Sequence, residues 1–333
     1  MTPAGIISDV INDYITNVGE YIAVSGRVPI VTETEDGMLY RGYEIEADNH
    51  RVAINGVGDF DPVHTFECGQ CFRWHREPDG SYTGVVRGRV ANLSYDKDRM
   101  VLDNVSLEEF KRIWFDYFDL GRDYSEIKKA VAIDETMKKA VEFGGGIRLL
   151  RQEPWETLIS FIISANNRIP RIMKIIADLS RHYGREINYR GGKYYGFPEI
   201  ESLAACSFDQ IQVCRAGYRC AYIHKTTAEI AQGGFDLSRL QDLPTAEARK
   251  YLLGLYGVGR KVADCMLLYS GIKQDVFPTD VWVKRVMEEL YFKREASFAE
   301  IGRFAADNFG AFAGIAQQYL FYYAREQKIR AAE

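Results

Sequence analysis

The sequence predicts an α+β protein in which an N-terminal antiparallel β-sheet precedes an all-α body. Between about residues 38 and 103, short apolar runs alternate with turn signals such as Pro78-Asp79-Gly80, which is typical of short strands joined by tight turns. From Ser106 onward, apolar residues recur at helical spacing instead. Because no helical segment separates the strands, the pattern does not favour parallel β-α-β units.

The elements follow in order along the chain. The predicted strands are MLYRGYEIE, RVAING, QCFRWHR, SYTGVV, RVANLSY and MVLDNV. Ser106 is the predicted N-cap of the first helix that follows them, with a glutamate three residues later. The predicted helices are FKRIWFDYF, YSEIKKAVAI, MKKAVEF, PWETLISFIIS, PRIMKIIADLSRHYG, FDQIQVCRAG, AYIHKTTAEIAQ, ARKYLLGLYG, KVADCMLLYSG, DVWVKRVMEELY, FAEIGRFAADNF and AFAGIAQQYLFYYAREQ.

Three regions follow from this change of period. We predict an N-terminal extension of unknown role over residues 1–45, a sheet domain with trailing helices over residues 46–145, and a helical domain over residues 146–333. Within the extension, residues 6–18 have apolar side chains at helical spacing and predict an amphipathic helix. A chain of 333 residues has room for two or three domains with a large core.

Composition indicates a globular, intracellular protein. The hydrophobic fraction of 47% and the charged fraction of 27% are ordinary, and no apolar run reaches the roughly 18 residues of a membrane span. The first residues lack the basic start of a secretory signal, and six scattered cysteines suit a reducing compartment. We therefore expect a cytoplasmic protein that has no targeting signal and no membrane partner.

The most informative segment is residues 255–280, which contains the turn Gly257-Val258-Gly259 between two predicted helices. Residues 245–270 therefore form a predicted helix-hairpin-helix. The glycines let the turn expose backbone N–H groups, and the positive end of the second helix dipole adds to them, so the site favours a phosphate. The alternative is an ordinary glycine-containing turn between packed helices.

Two ionisable residues accompany this turn. Lys261 lies on the first turn of the second helix beside Arg260, and both the helix dipole and the neighbouring cation disfavour its charged form. A lysine that is neutral near pH 7 is a nucleophile, whereas most lysines are simply solvated. Asp280 begins another helix, where it is either only an N-cap or also a carboxylate that stabilises positive charge at a sugar C1′. Together they predict attack on a glycosidic bond in DNA.

Two observations bear on this interpretation. The net charge of −5 is opposite to the basic footprint of most nucleic-acid-binding proteins, although the segments near the hairpin are locally basic. We therefore expect tight DNA binding only at modest salt. Cys68 and Cys71 form a CxxC pair without a second pair of cysteines or histidines, so we predict no metal site.

Two further segments have polar residues beside apolar helices. Asn166 ends one apolar helix and precedes Arg171; it is either a helix cap or, near a duplex, an amide that fills the gap left by a flipped nucleotide. Gln317 and Phe321 are one turn apart and share a helix face. An aromatic residue is usually core in such a helix, but a glutamine beside it is less expected.

Taken together, these segments resemble the 8-oxoguanine DNA glycosylase/AP lyase family within the helix-hairpin-helix-Gly/Pro-Asp superfamily. The resemblance covers roughly residues 60–326, and the chain looks like a prokaryotic member. The motifs that carry the resemblance are ECGQCFRW, LLRQEPWETLISFIISANNRIPRI, AGYRCAYI, LYGVGRKVADCMLL, VFPTDVW and AGIAQQYLF. The resemblance implies a sheet domain similar to that of TATA-binding protein, followed by a helical glycosylase body.

The resemblance also implies roles for the matching residues. Lys261 matches the nucleophile that forms a Schiff base, and Asp280 matches the carboxylate that assists it. Gly69 matches the glycine whose carbonyl accepts a hydrogen bond from N7–H of 8-oxoguanine. The other residues implied at the base are Cys265 and Phe321, which sandwich it, and Gln317, which reads its Watson–Crick edge. Those implied at the opposing cytosine and the DNA backbone are Asn166, Arg171, the wedge Tyr218, Arg219, Gly257 and Gly259. Tyr256 departs from the family, which usually has proline there.

The implied function is excision of 8-oxoguanine opposite cytosine from double-stranded DNA, followed by β-elimination of the strand. The resemblance implies a monomeric, nucleoid-associated enzyme that needs no cofactor, with a monovalent or divalent cation at the hairpin left open. Two alternatives remain: a glycosylase for another purine lesion, and a non-catalytic helix-hairpin-helix DNA-binding protein.

Overall fold

The computed structural model describes residues 31–34 and 37–329, and it has the predicted α+β architecture, with a sheet domain followed by a helical body. The strands are β1 (Val31–Thr34), β2 (Gly37–Tyr40), β3 (Tyr43–Ala47), β4 (Arg51–Asn55), β5 (Trp74–Arg76), β6 (Tyr82–Val86), β7 (Arg89–Asp96), β8 (Arg99–Asp103), β9 (Glu186–Tyr189) and β10 (Gly192–Tyr195). The amphipathic helix predicted over residues 6–18 lies outside the described residues.

Within the described residues, strands β1 to β8 form one antiparallel sheet in the order β1-β2-β3-β4-β8-β7-β6-β5. Strands β1 and β2 and the start of β3 lie within residues 31–45, which the sequence assigned to an extension of unknown role. That assignment is wrong for these residues, because β2 pairs with β3 and β3 pairs with β4 in continuous register. The boundaries assigned to the other two regions stay predictions.

An aromatic cluster fills the core of the sheet domain. The Phe66 and Trp74 rings stack with centroids 4.3 Å apart, and the Trp74 indole N–H donates to the Tyr117 hydroxyl at 2.8 Å. Gly84 on β6 is required here because a Cβ at that position would lie 2.3 Å from the Trp74 ring. The sheet therefore packs against the helical segment that contains Tyr117.

The helices are interspersed with short π and 3₁₀ segments, and all but the first of them follow strand β8. The first are α1 (Pro62–Phe66), α2 (Leu107–Glu109), a π-helical segment (Phe110–Trp114), α3 (Phe115–Tyr117), α4 (Tyr124–Val131), α5 (Glu135–Phe143), α6 (Pro154–Ser164), α7 (Ile169–Tyr183), α8 (Ile200–Ala204) and α9 (Phe208–Ile211). The others are a 3₁₀ turn (Gln212–Cys214), α10 (Arg219–Ala231), a 3₁₀ turn (Leu237–Gln241), α11 (Thr245–Leu252), α12 (Arg260–Tyr269), α13 (Val281–Met287), a π-helical segment (Glu288–Phe292), α14 (Phe298–Phe309), a 3₁₀ turn (Gly310–Phe312) and α15 (Ala313–Glu326).

The N-cap that the sequence predicts at the start of the helical region is present. Ser106 accepts from the Glu109 N–H, and the Glu109 carboxylate accepts from the Ser106 N–H, which is a capping box. Helix α6 is buried along nearly its whole length, and α12 packs against it. The β9–β10 hairpin was not predicted, although its turn at Arg190-Gly191 and its alternating aromatic residues are a usable hairpin signal.

Buried amides join the two domains. The Gln70 amide donates to the Thr65 and Arg148 carbonyls at 2.8 Å each, and its oxygen accepts from the Leu150 N–H at 2.8 Å. The Gln318 amide on α15 donates to the Cys68 carbonyl at 3.1 Å. The loop that contains Gly69 is therefore fixed from both sides by fully buried side chains.

Candidate active site

A cavity of about 130 Å³ lies where the Gly69 loop meets helices α6, α7, α12, α13 and α15. The predicted residues that line it are Gly69, Lys261, Cys265, Asp280, Gln317 and Phe321. These residues come from four separate segments of the chain, and the fold brings them together around one cavity. Since a protein cavity of about 150 Å³ holds a benzene ring, this cavity has the scale of a flat heterocycle.

Lys261 is held by neutral groups. Its Nζ donates to the Ser164 Oγ at 2.9 Å and lies 5.1 Å above the Phe161 ring. The Ser164 hydroxyl in turn donates to the Phe161 carbonyl at 2.8 Å. In the described part of the chain, no salt bridge joins Lys261 to Asp280. A hydroxyl oxygen accepts a hydrogen bond from an amine whether or not the amine is charged, so this contact orients Lys261 in both protonation states.

Asp280 is the N-cap of helix α13. Its Oδ1 accepts from the Val283 N–H at 2.8 Å, and its backbone is extended. The predicted capping is therefore present. Among the described residues the second carboxylate oxygen has no partner, and the side chain lines the same cavity as Lys261. The cap fixes the carboxylate while leaving one oxygen for the cavity.

Two residues form apolar surfaces of the cavity. Cys265 is buried, and burial raises the pKa of its thiol to about 12, so the thiol stays protonated near neutral pH. Phe321 packs edge-on against Trp282 with ring centroids 5.1 Å apart. Gly69 has a φ of +92°, and a Cβ there would lie 3.3 Å from Phe321 Cε1. A glycine therefore allows backbone to approach the ring closely.

Gln317 is only 3% exposed, yet its Oε1 has no hydrogen-bond partner among the described residues. The neighbouring Gln318 is satisfied, since its oxygen accepts from the Tyr269 hydroxyl at 2.7 Å. Buried polar atoms are nearly always bonded. An N–H group of a molecule in the cavity would satisfy the Gln317 oxygen.

The residues predicted to face the opposing base divide into two groups. Asn166, with a φ of +50°, and Arg171 are exposed where α6 gives way to α7, and Tyr218 is 53% exposed. Arg219 is only 3% exposed. Its Nε donates to the Ala165 carbonyl at 2.9 Å and its Nη2 donates to the Asn166 carbonyl at 2.8 Å. Arg219 therefore holds the Asn166 turn in place.

The helix-hairpin-helix is formed by α11, the glycine turn and α12. Gly257 has a φ of +82°, and a Cβ there would lie 2.4 Å from Tyr222 Cγ, so only glycine fits. Gly259 is extended and is the N-cap of α12. Within the described chain, the N–H groups of both glycines donate to no protein acceptor. The turn thus presents free donors beside a helix N-terminus.

Several residues of the site were missed from the sequence. Ser164 and Phe161 contact Lys261, and Asn167 lines the cavity while its amide donates to the Ile163 carbonyl at 3.0 Å. A polar residue at the end of an otherwise apolar helix was the available signal for Ser164. The Cys68 and Cys71 thiols are buried and donate to backbone carbonyls.

Two structural observations complete the description of the described residues. No group of three or more histidine, cysteine, aspartate or glutamate side chains is arranged there to hold a metal ion. No helix in that part of the chain combines the length and the apolar character needed to cross a membrane.

A sheet domain followed by a helical body with a helix-hairpin-helix is the architecture of a DNA glycosylase of the HhH-GPD class. Residues 52–158 match the N-terminal domain of 8-oxoguanine DNA glycosylase, and residues 159–305 match the HhH-GPD superfamily of base excision DNA repair proteins. The chain belongs to the 8-oxoguanine DNA glycosylase/AP lyase family. The resemblance inferred from the motifs is thereby confirmed, and the protein is a DNA glycosylase and DNA lyase.

Individual relatives agree with this membership. The probable N-glycosylase/DNA lyase of Methanothermobacter thermautotrophicus is 30% identical over 81% of this chain and 95% of its own. The solved 8-oxoguanine glycosylase/lyase of Clostridium acetobutylicum, in complex with double-stranded DNA containing cytosine opposite 8-oxoguanine, is 43% identical. It superposes with a TM-score of 0.83 over 85% of this chain and 98% of its own. MBOgg1, solved in complex with a low-affinity DNA ligand, is 49% identical and superposes with a TM-score of 0.84 over 86% of this chain and 99% of its own.

Proposed function

We propose that this enzyme flips 8-oxoguanine opposite cytosine out of duplex DNA, excises it and then cleaves the strand by β-elimination. The observation that carries the proposal is one cavity lined both by Lys261 and by Gln317, whose buried amide oxygen has no hydrogen-bond partner among the described residues. Lys261 provides a nucleophile, and the Gln317 oxygen is available to accept a hydrogen bond from a base. A non-catalytic DNA-binding protein has no use for either.

Recognition of the oxidised base rests on Gly69. Guanine N7 accepts hydrogen bonds, whereas N7 of 8-oxoguanine carries a hydrogen and donates. Among the described residues the Gly69 carbonyl accepts no hydrogen bond, so it is free to accept from N7–H. Normal guanine would bring two acceptors together at a cost of about 1–3 kcal/mol, or roughly 5- to 150-fold in discrimination. Phe321 and Cys265 provide the surfaces against which the base packs.

The chemistry rests on Lys261 and Asp280. The Lys261 nitrogen attacks C1′ with its lone pair, the C1′–N9 bond breaks, and the base leaves with the bonding electron pair and takes up the proton that the attacking nitrogen gives up. The Asp280 carboxylate stabilises the positive charge that develops at the sugar. The amine then displaces the ring oxygen to give a Schiff base, and loss of a proton from C2′ expels the 3′ phosphate. Water hydrolyses the Schiff base and restores Lys261.

The opposing cytosine is held by the exposed Asn166 and Arg171, with Tyr218 inserted into the duplex. Arg219 acts behind them, because its guanidinium is committed to the carbonyls of the Asn166 turn. This division differs from the sequence expectation, in which Arg219 also faces the cytosine. Arg171 therefore contacts the cytosine directly, and Arg219 supports the turn that contains Asn166.

We also propose that the reaction needs no cofactor, since the steps described above use only a lysine amine, a carboxylate and water. The hairpin remains the place for a monovalent or divalent cation that assists phosphate binding. Activity that survives thorough treatment with a chelator supports this part of the proposal, and its loss, restored by added metal, contradicts it.

Borohydride trapping tests the central proposal. The enzyme is incubated with a duplex that contains 8-oxoguanine opposite cytosine, and borohydride reduces any Schiff base to a stable adduct. We expect a covalent protein–DNA adduct with this duplex and none with the matching guanine duplex or with Lys261→Gln. Base release without an adduct would contradict the lyase mechanism, and an adduct that forms equally with an alkylated purine would contradict the substrate assignment.

A further inference from the structure

A row of tyrosine rings runs from the predicted wedge to the tip of the hairpin. Tyr218 and Tyr222 on α10 pack edge to face with centroids 5.5 Å apart, and Tyr222 packs the same way on Tyr256 at 5.3 Å. The Lys225 ammonium lies 4.0 Å above the centre of the Tyr256 ring. Tyr256 occupies the position where the family usually has proline, so this end of the row departs from the usual family pattern.

The row is fixed to the hairpin by two contacts. The Thr226 hydroxyl donates to the Tyr256 carbonyl at 2.7 Å. Tyr222 occupies the space that a Cβ on Gly257 would need. Helix α10 and the hairpin tip therefore form one continuous surface rather than two independent ones.

This surface is exposed and carries the cation Lys225. Tyr218 and Tyr256 are 53% and 49% exposed, and Lys225 is exposed with no carboxylate partner in the described part of the chain. Aromatic rings interleaved with cations are typical of surfaces that bind nucleic acid. The distances between neighbouring ring centroids, 5.5 and 5.3 Å, each exceed the ~3.4 Å rise per nucleotide of DNA. The row is therefore long enough to follow roughly two to three nucleotides.

We infer that Lys225 binds a DNA phosphate next to the one bound by the hairpin amides, and that the Tyr256 ring holds its ammonium in position. The inference rests on the proposed function in taking the hairpin as the DNA contact. An ammonium has three N–H donors, so the one directed at the ring leaves others for phosphate oxygens. The pairing also restricts the Lys225 side chain before DNA arrives.

The salt dependence of binding tests this inference. Affinity for an undamaged duplex is measured over a series of salt concentrations for the wild type, Lys225→Ala, Tyr256→Leu and the double variant. Each lost phosphate contact lowers the magnitude of the slope of log K against log salt by about 0.9. We expect this decrease for Lys225→Ala. Tyr256→Leu should weaken binding about two- to fivefold alone but less than twofold when Lys225 is already absent.

Lys138→Ala is the matched control, because it removes the same charge from an exposed lysine that is paired with Glu135 on α5. Tyr256→Phe keeps the ring and should keep the wild-type slope. A slope for Lys225→Ala equal to that of the wild type or of Lys138→Ala would overturn the inference, as would additive effects of the two substitutions. Undamaged duplex needs no excision, so a failure here leaves the proposed function intact, and failure to release 8-oxoguanine leaves this result intact.

Discussion

The helix-hairpin-helix and the base cavity share helix α12, but they are assembled differently. The hairpin is one contiguous segment, residues 245–270, whose geometry is set locally by Gly257. The cavity is assembled from distant segments: the bond from Lys261 to Ser164 joins residues 97 apart, and the bond from Gln318 to Cys68 joins residues 250 apart. The phosphate-binding turn therefore depends mainly on one local segment, whereas recognition and chemistry depend on the whole fold. The two properties should be separable by substitution.

The sharpest separation is expected at Lys261, which lies at the hairpin but points into the cavity. Lys261→Gln should abolish base release and borohydride trapping and leave duplex binding largely intact, because glutamine is no nucleophile while the hairpin amides are unchanged. Single-turnover excision and binding to the same 8-oxoguanine duplex give the two readouts. Release at near the wild-type rate would remove Lys261 from the mechanism.

Asp280→Asn should slow excision by about 10²–10³-fold, the usual effect of removing one group that stabilises a transition-state charge. Asparagine still accepts from the Val283 N–H, so the helix cap and the fold should be retained. Thermal unfolding of both proteins provides that control. A decrease in rate of less than threefold would leave Asp280 with its capping role alone.

The double substitution Gln317→Ala with Phe321→Ala should separate base recognition from lyase chemistry. Stacking on an aromatic ring contributes about 1–3 kcal/mol per base, which is roughly 5- to 150-fold in rate. Loss of the hydrogen bond to the base edge adds to this effect, so excision should fall by at least about fivefold. Cleavage of a preformed abasic site needs no base in the cavity and should persist. Equal losses in both reactions would mean that α15 has only a structural role.

Arg171→Ala and Arg219→Ala should differ, although both relax the preference for cytosine opposite the lesion. Arg171 is exposed, so its loss should leave thermal stability unchanged. Arg219 is buried and bonded to three carbonyls, so its loss should also lower the melting temperature. Excision rates against the four opposing bases, measured beside thermal unfolding, check this. Unchanged discrimination in both variants would move the cytosine contact elsewhere.

Ser164→Ala should have the smallest effect, about two- to tenfold on excision, which is the usual net value of one hydrogen bond. The loss should appear in the single-turnover rate rather than in DNA affinity, and Ser164→Thr should recover it by restoring a hydroxyl. Ser160→Ala is the control, since Ser160 is buried one turn earlier on the same helix. An equal effect of both alanine substitutions would indicate a packing defect instead.

The same contrast explains what the sequence predicts well. The hairpin was predicted with nearly its observed helices, because glycines and helical periodicity are local signals. The placement of Asp280 as an N-cap is local too. The contact between Lys261 and Ser164 was not predictable, because it depends on how α6 packs on α12. The burial of Arg219 was missed for a related reason: a motif gives the residue type but not whether its donors are already used. The strands over residues 31–45 were partly overlooked because their turn-rich, acidic composition hides their pairing.

The amides of Gln70 and Gln318 have a consequence for how the enzyme responds to heat. They attach the Gly69 loop of the sheet domain to the helical body, whereas Lys261, Ser164 and Asp280 all belong to that body. In the proposed mechanism, selectivity for the oxidised base thus depends on contacts across a junction between domains, and strand cleavage at an abasic site does not. As temperature rises and the junction loosens, the enzyme should lose its discrimination between 8-oxoguanine and guanine before it loses its lyase activity.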